Sequence, residues 1–269
     1  MAKPVIEFKN VSKEYRAYKS NRQLASHQLL GVNKGIPRTV LEDLSFSVER
    51  GEKVALIGNT GIERDVVIEM IAGISFPDKG KVKVRGSVAS AITFTAGFDV
   101  EMSLRDNIYI KGYMLGWSRK QIQQREEGIL EFAGLTAKKE YKIRDLEQGE
   151  AARVGLAMFC EEEADIYLLD SPLMVGDNVH KAICLERLAE IAAKEDKTMV
   201  IANKNIAYGN TLCQRGIVFS EGRAVFDGTV KDGMKYFNDN MRKPEEAKVG
   251  KAQVEEANRP AGDSDYEEF

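Results

Sequence analysis

Histidine is nearly absent: His27 and His180 are the only two. Chemistry that relies on several imidazoles is therefore not expected. The three cysteines, Cys160, Cys184 and Cys213, are far apart and form no C-x-x-C pair. That spacing argues against a disulfide framework and against a zinc site, so each is expected to pack as a small apolar side chain in a reducing compartment. No apolar stretch approaches the roughly 20 residues that a membrane-spanning helix needs. The first residues, Met1-Ala2-Lys3-Pro4, lack the apolar core of a signal peptide. A formal net charge of −3 gives no general reason to expect nucleic acid as a partner. These absences point to a cytoplasmic protein. Its 269 residues, 43% apolar and 30% charged, suffice to bury a core in one large domain.

The organising stretch is 54 to 74. Val54 to Ile57 is a short apolar run that reads as a buried strand, and a turn with Gly58 and Gly61 follows. Val67, Met70, Ile71 and Ile74 then recur at helical spacing. Strand, glycine-containing loop and helix form the frame of a phosphate-binding loop, in which backbone N–H groups and a helix N-terminus face an anion. That loop wants G-x-x-x-x-G-K-[ST]. Here Gly58 opens it, Asn59, Thr60, Gly61 and Ile62 follow, and the last three positions hold Glu63, Arg64 and Asp65.

Around this centre the chain alternates. Val5 to Val11 and Val40 to Val48 read as half-buried strands. Between them, 16 to 39 is a basic, polar insertion carrying Arg16, Lys19, Arg22, Lys34 and Arg38, with a short helix expected near Gln23 to Leu30. It is either a solvated excursion or a contact to a membrane surface or partner. Pro77 to Gly80 marks a turn before a strand at Lys81 to Arg85. Helices are expected over 118 to 134 (opened by Ser118), from about Gly149 to Cys160, and over His180 to Lys194. Strands are expected at Asp165 to Asp170 and Thr198 to Asn203, and a hairpin over 216 to 228 that turns at Glu221-Gly222. Alternating strands and helices imply an α/β core with a parallel sheet. From 241 to 269 the apolar pattern stops and charge, Pro and Gly dominate, so this segment reads as a disordered tail.

The order of segments resembles the nucleotide-binding subunit of an ABC transporter over roughly 4 to 239. It is most similar to the subfamily that exports bacterial polysaccharides, O-antigens and teichoic acids. The stretches that carry the resemblance are Val11-Ser12-Lys13-Glu14-Tyr15, Ala72-Gly73-Ile74 and Pro77 to Gly80. They continue with Gly97-Phe98, Asn107-Ile108-Tyr109, Gly116 to Gln121, Val175-Gly176-Asp177 and Val225-Phe226-Asp227-Gly228. The resemblance implies a P-loop NTPase-like core with a parallel sheet, an antiparallel β region and a helical subdomain at about 98 to 160, all within 1 to 240. It also implies ATP and magnesium as cofactors, an adenine platform at Tyr15, Asp170 at the Walker B strand end and Asp177 at a dimer interface. Its implied partners are a membrane permease at the inner face of the membrane and a second nucleotide-binding subunit.

At the catalytic positions the pattern departs. Arg64 stands for the phosphate-binding Lys, Asp65 for the magnesium-ligating Ser/Thr, and Glu63 for a Gly. Asp99 stands for the Q-loop Gln, Ser171 for the general-base Glu, and Lys204 for the switch His. The signature motif reads Leu146-Glu147-Gln148-Gly149-Glu150, with Glu147 and Glu150 expected to face the partner's nucleotide. A carboxylate ~5 Å from one unit of phosphate charge costs about 3 kcal/mol at an effective dielectric of 20. The leading reading is thus a degenerate subunit with weak or no hydrolysis, acting structurally or as a regulator. The alternatives are an active ATPase using Asp65 and Asp170 on magnesium and Arg64 on phosphate, or a soluble scaffold on the same fold. At the level of single residues, Tyr15 is equally read as a surface aromatic, Asp170 as a cap or ion-pair member, and Arg64 and Lys204 as solvated or paired with Glu63 and Asp65.

Overall fold

The structure is a computed structural model that describes residues 3–17, 36–58, 61–147, 149–170, 178–202 and 211–241. Two sheets organise it. A three-stranded antiparallel sheet contains β1 (Ile6–Ala17), β2 (Ile36–Val48) and β4 (Lys79–Val84) in the order β2-β1-β4. A six-stranded sheet is ordered β5-β6-β7-β3-β8-β9, from β3 (Lys53–Gly58), β5 (Val88–Ala91), β6 (Ile166–Asp170), β7 (Thr198–Ala202), β8 (Arg215–Ser220) and β9 (Arg223–Thr229). The first five strands in that order run parallel and β9 pairs antiparallel to β8.

Every residue of β3 is buried, because both faces of the larger sheet are covered. Val54 and Leu56 join a core shared with the antiparallel sheet and with α1 (Gly61–Ile71). Ala55 and Ile57 face the opposite core, which α4 (Glu150–Cys160), α5 (Asn178–Ala192) and α6 (Val230–Asn240) complete. A third apolar cluster joins α4 to α2 (Leu104–Met114) and α3 (Arg119–Ala133). Cys160, Cys184 and Cys213 are all buried thiols, and burial pushes Cys160 and Cys213 up to about 12 and Cys184 up to about 11.

Local chemistry sets several boundaries. Ser118 accepts from Gln121 N while the Gln121 side chain accepts from Ser118 N, a reciprocal cap that starts α3. Gly134, at φ 67°, ends it. The hairpin turns at Glu221 and Gly222, both at positive φ, which suits the twist of antiparallel strands. Three elements have no counterpart in the sequence reading: β5, α2 and α6. β1 and β2 are longer than the alternation implies, reaching Ala17 and beginning at Ile36. Ile74 leaves the helical face expected for it: α1 stops at Ile71, Gly73 turns the chain at φ 74°, and Ile74 is 64% exposed. The short helix expected near Gln23 to Leu30 and the tail from 242 onward lie outside the described residues.

Candidate functional site

The carboxyl ends of β3 and β6 lie on the same edge of the parallel sheet, with β7 between them: Ala202 pairs with Leu56 on one side and with Asp170 on the other. Ligands of open α/β sheets bind along this edge. Gly58 closes β3 in a tight space, since a Cβ there would meet Phe219 O at 3.1 Å. α1 then starts at Gly61 and places Glu63, Arg64 and Asp65 in its first turns.

Glu63 and Arg64 both turn inward. Glu63 is 7% exposed and its Oε1 accepts the Gly222 N–H at 2.7 Å, which fastens the helix to the β8–β9 turn. Arg64 is only 2% exposed, so the reading of it as a solvated cation is corrected. Burial pulls its guanidinium below the ordinary value, and the charges of Asp65, Asp170 and Glu63 act against that shift. An arginine starts high enough to stay protonated regardless. Its Nε and Nη1 meet no hydrogen-bond acceptor among the described residues. The charges of three carboxylates thus act on one buried cation where a phosphate-binding loop would present cation and amide. Asp65 and Asp170 act on the same guanidinium, but no group of three or more His, Cys, Asp or Glu among the described residues is arranged to hold a metal.

Tyr15 is 41% exposed, opposite Arg38 in the β1–β2 register, with Lys13 Nζ 5.6 Å from its ring centre. A cavity of about 480 Å³ opens between Arg38 to Val40, Ile62, Glu63, the β8–β9 turn and Met241. Asp99 is occupied locally: its carboxylate accepts from Glu101 N, and its backbone is held by Asn107. Asn59, Thr60, Gln148, Ser171, Asp177 and Lys204 lie outside the described residues.

The segment expected to hold the signature motif is organised around Glu150. Leu146 leads into the turn, Gly149 caps α4 at φ 91°, and Glu150 opens the helix. The expectation that Glu150 faces a partner's nucleotide is corrected, because its carboxylate points into its own chain and is 7% exposed. Oε1 accepts from Lys138 Nζ at 2.8 Å, Oε2 accepts from Glu147 N at 2.9 Å, and Arg153 lies 3.5 Å away. Burial alone would raise the Glu150 carboxyl, but these bonds and charges hold it below its ordinary value. Glu147 remains exposed, 3.8 Å from Lys138. Arg153 Nη1 lies 3.0 Å from the His180 ring nitrogens and ties α4 to α5. Twelve residues on from Glu150, burial pushes the Glu162 carboxyl up to about 7, and nearby Lys111 only partly offsets that.

Lys111 Nζ on α2 donates to Phe94 O at 2.9 Å. The same carbonyl sits 2.0 Å from where a Cβ on Gly155 of α4 would stand. Only glycine admits that contact.

Comparison with known proteins agrees with this architecture. The ABC transporter family matches residues 41–174. An O-antigen export system ATP-binding protein, RfbB of Klebsiella pneumoniae, is 36% identical over 221 residues, spanning 79% of this chain and 88% of the relative. The teichoic acids export ATP-binding protein TagH of Bacillus cereus is 28% identical over 84% of this chain, which spans 41% of that longer protein. Among solved structures, a dimeric ATP-binding cassette bound to ADP and Pi superposes with a TM-score of 0.67 at 16% identity, covering 84% of this chain and 98% of the cassette. An ATP-binding subunit of an ABC transporter gives 0.66 at 22% identity, covering 91% and 98%. The protein therefore belongs to the ABC transporter family, as one of its ATP-binding-type chains.

Proposed function

We propose that this chain is the nucleotide-binding-domain subunit of an ABC exporter of cell-surface polysaccharide, with an ATP site too altered for efficient hydrolysis. It would act as a structural or regulatory subunit. The glycan-export part rests on the relatives named for O-antigen and teichoic acid export. The degenerate part rests on one observation above all: Arg64 is buried and feels the charges of Glu63, Asp65 and Asp170. Phosphate entering that place would meet three carboxylates, and each at ~5 Å costs about 3 kcal/mol per phosphate charge. Magnesium–ATP therefore fits these residues poorly.

In this reading 1 to 240 is the ABC-type domain, 98 to 160 its helical subdomain, and 241 to 269 an appended tail. The partners are a polysaccharide-export permease and a second nucleotide-binding subunit, with the chain peripheral on the cytoplasmic face of the membrane. No helix among the described residues is long and apolar enough to cross a membrane.

One observation favours a second reading. The charges of Asp65 and Asp170 both act on the same guanidinium, and a magnesium ion could use both in an active ATPase. Calorimetry of the whole chain with ATP, with and without magnesium, separates the two. No heat up to millimolar ATP is the expected result. Micromolar binding that requires magnesium would overturn the degenerate site and support the active enzyme.

A further inference from the structure

The solvent face of the antiparallel sheet carries a row of cations that a single carboxylate answers in part. On β4, Lys79, Lys81 and Lys83 alternate outward while Val82 and Val84 pack on the core. On β1, Lys9 stands directly opposite Lys81, and Glu7 opposite Lys83. Like charges in direct cross-strand register repel. Glu7 is the acid that answers this row, and it is shared: Lys9 lies 3.2 Å from it, and Lys83 and Arg85 each 3.9 Å. Asp78, next to Lys79 in the chain, is turned to Lys13 Nζ and Glu14 N. Lys79 and Lys81 have no ion pair among the described residues. Lysine on an edge strand also discourages pairing with a further strand, yet that role needs no opposed Lys9–Lys81 pair. In a chain of net charge −3, this face is arranged for an anion.

We infer that the occupant is the acidic end of this same chain, the segment Asp263-Ser264-Asp265-Tyr266-Glu267-Glu268. It holds four carboxylates and no cation, which complements the row. Its reach is suitable. The described chain ends at Met241, beside Arg38 to Val40 at the start of β2. From there the Lys9–Lys81 pair lies about 20 Å along the strands and about 10 Å across them, at the usual rise and spacing. Asp263 follows Met241 by 22 residues, a length that bridges about 25 Å even at the mean span of a linker. The tail thereby screens the row from other anions.

The test is zero-length carbodiimide cross-linking of the full chain at low salt, on a mixture of ¹⁵N-labelled and unlabelled protein, read by mass spectrometry. Expected are links from Lys9, Lys79, Lys81 or Lys83 to Asp263, Asp265, Glu267 or Glu268, all within one molecule. They should fall at least about fivefold in 0.5 M salt, as screening requires. K79Q/K81Q/K83Q should remove most of them. Links between labelled and unlabelled copies, or links of these acids to other lysines only, would overturn the inference. A vesicle assay with phosphatidylglycerol separates the tail from a lipid occupant. The full-length variant D263N/D265N/E267Q/E268Q should bind the vesicles several-fold more tightly than the native chain. Equal binding would assign the face to lipid instead.

Discussion

The N-termini of α1 and α4 are alike in one respect and differ in how their charges are met. Each carries a carboxylate, Glu63 or Glu150, that is 7% exposed and bonded within the chain. Around Glu150 the neighbourhood meets the charge: Lys138, Glu147 N and Arg153 converge on the carboxylate, and His180 takes up Arg153. At the α1 end Glu63 accepts the Gly222 backbone N–H, and the adjacent Arg64 keeps two buried nitrogens, Nε and Nη1, without acceptors among the described residues. A buried charge is stabilised when its hydrogen bonds are met in geometry as well as in sign. The α4 end meets both at Glu150 itself, although Arg153 Nε there is buried without an acceptor among the described residues. At the α1 end two such nitrogens, Nε and Nη1 of Arg64, are left without one.

The largest effect expected concerns nucleotide. E63G/R64K/D65T should raise ATP affinity about a hundredfold or more, from the removal of carboxylates worth about 3 kcal/mol each. E150Q alone should leave the affinity of the same chain unchanged by calorimetry. A fall in affinity in the triple variant would show that the native residues are ligands. Next comes stability. E150A should cost about 2 kcal/mol, as expected for charged hydrogen bonds, and E63A about 1 kcal/mol or less. Urea melts that gave equal losses would break the contrast.

Acid dependence should also differ at the two ends of α4. Glu150 is held below its ordinary value, so its contribution is present above the usual carboxylate range and disappears as pH falls through the folded value. E150Q should therefore flatten the acid arm of the stability curve. Glu162 behaves in the opposite sense: its folded value of about 7 exceeds the ordinary one. The folded chain binds that proton more tightly, so stability is highest below about 4.5 and declines as pH rises to about 7. E162Q should be the smallest effect, a modest gain at pH 8 that vanishes near pH 4, read from thermal melts at each pH.

What could be read in the sequence followed from local rules. Ser118 with Gln121, Gly134, and the Glu221-Gly222 turn announce themselves because cap and turn chemistry is short-range. Two of the missed helices carry comparable signals: Ser103 accepts from Asp106 N before α2, and Thr229 accepts from Asp232 N before α6. Those Ser/Thr-x-x-Asp pairs could have located both. β5 is four residues of mixed character and gives no such sign. At the site, the residue types at 63 to 65 and at 146 to 150 were legible, but their side-chain directions were not. Glu63 reaches a backbone N–H 159 positions away and Arg153 reaches a helix beyond β6. Such pairings exist only once the chain is folded.

The Phe94 carbonyl has a mechanical meaning. It is pressed by α4 at Gly155, gripped by α2 through Lys111, and belongs to the linker that leaves the sheet after β5. A point fixed by two helices acts as a fulcrum. If α4 tilts, the linker can neither slide past Gly155 nor lag behind Lys111. A displacement of α4 is therefore expected to carry with it the loop of 95 to 103, ahead of α2.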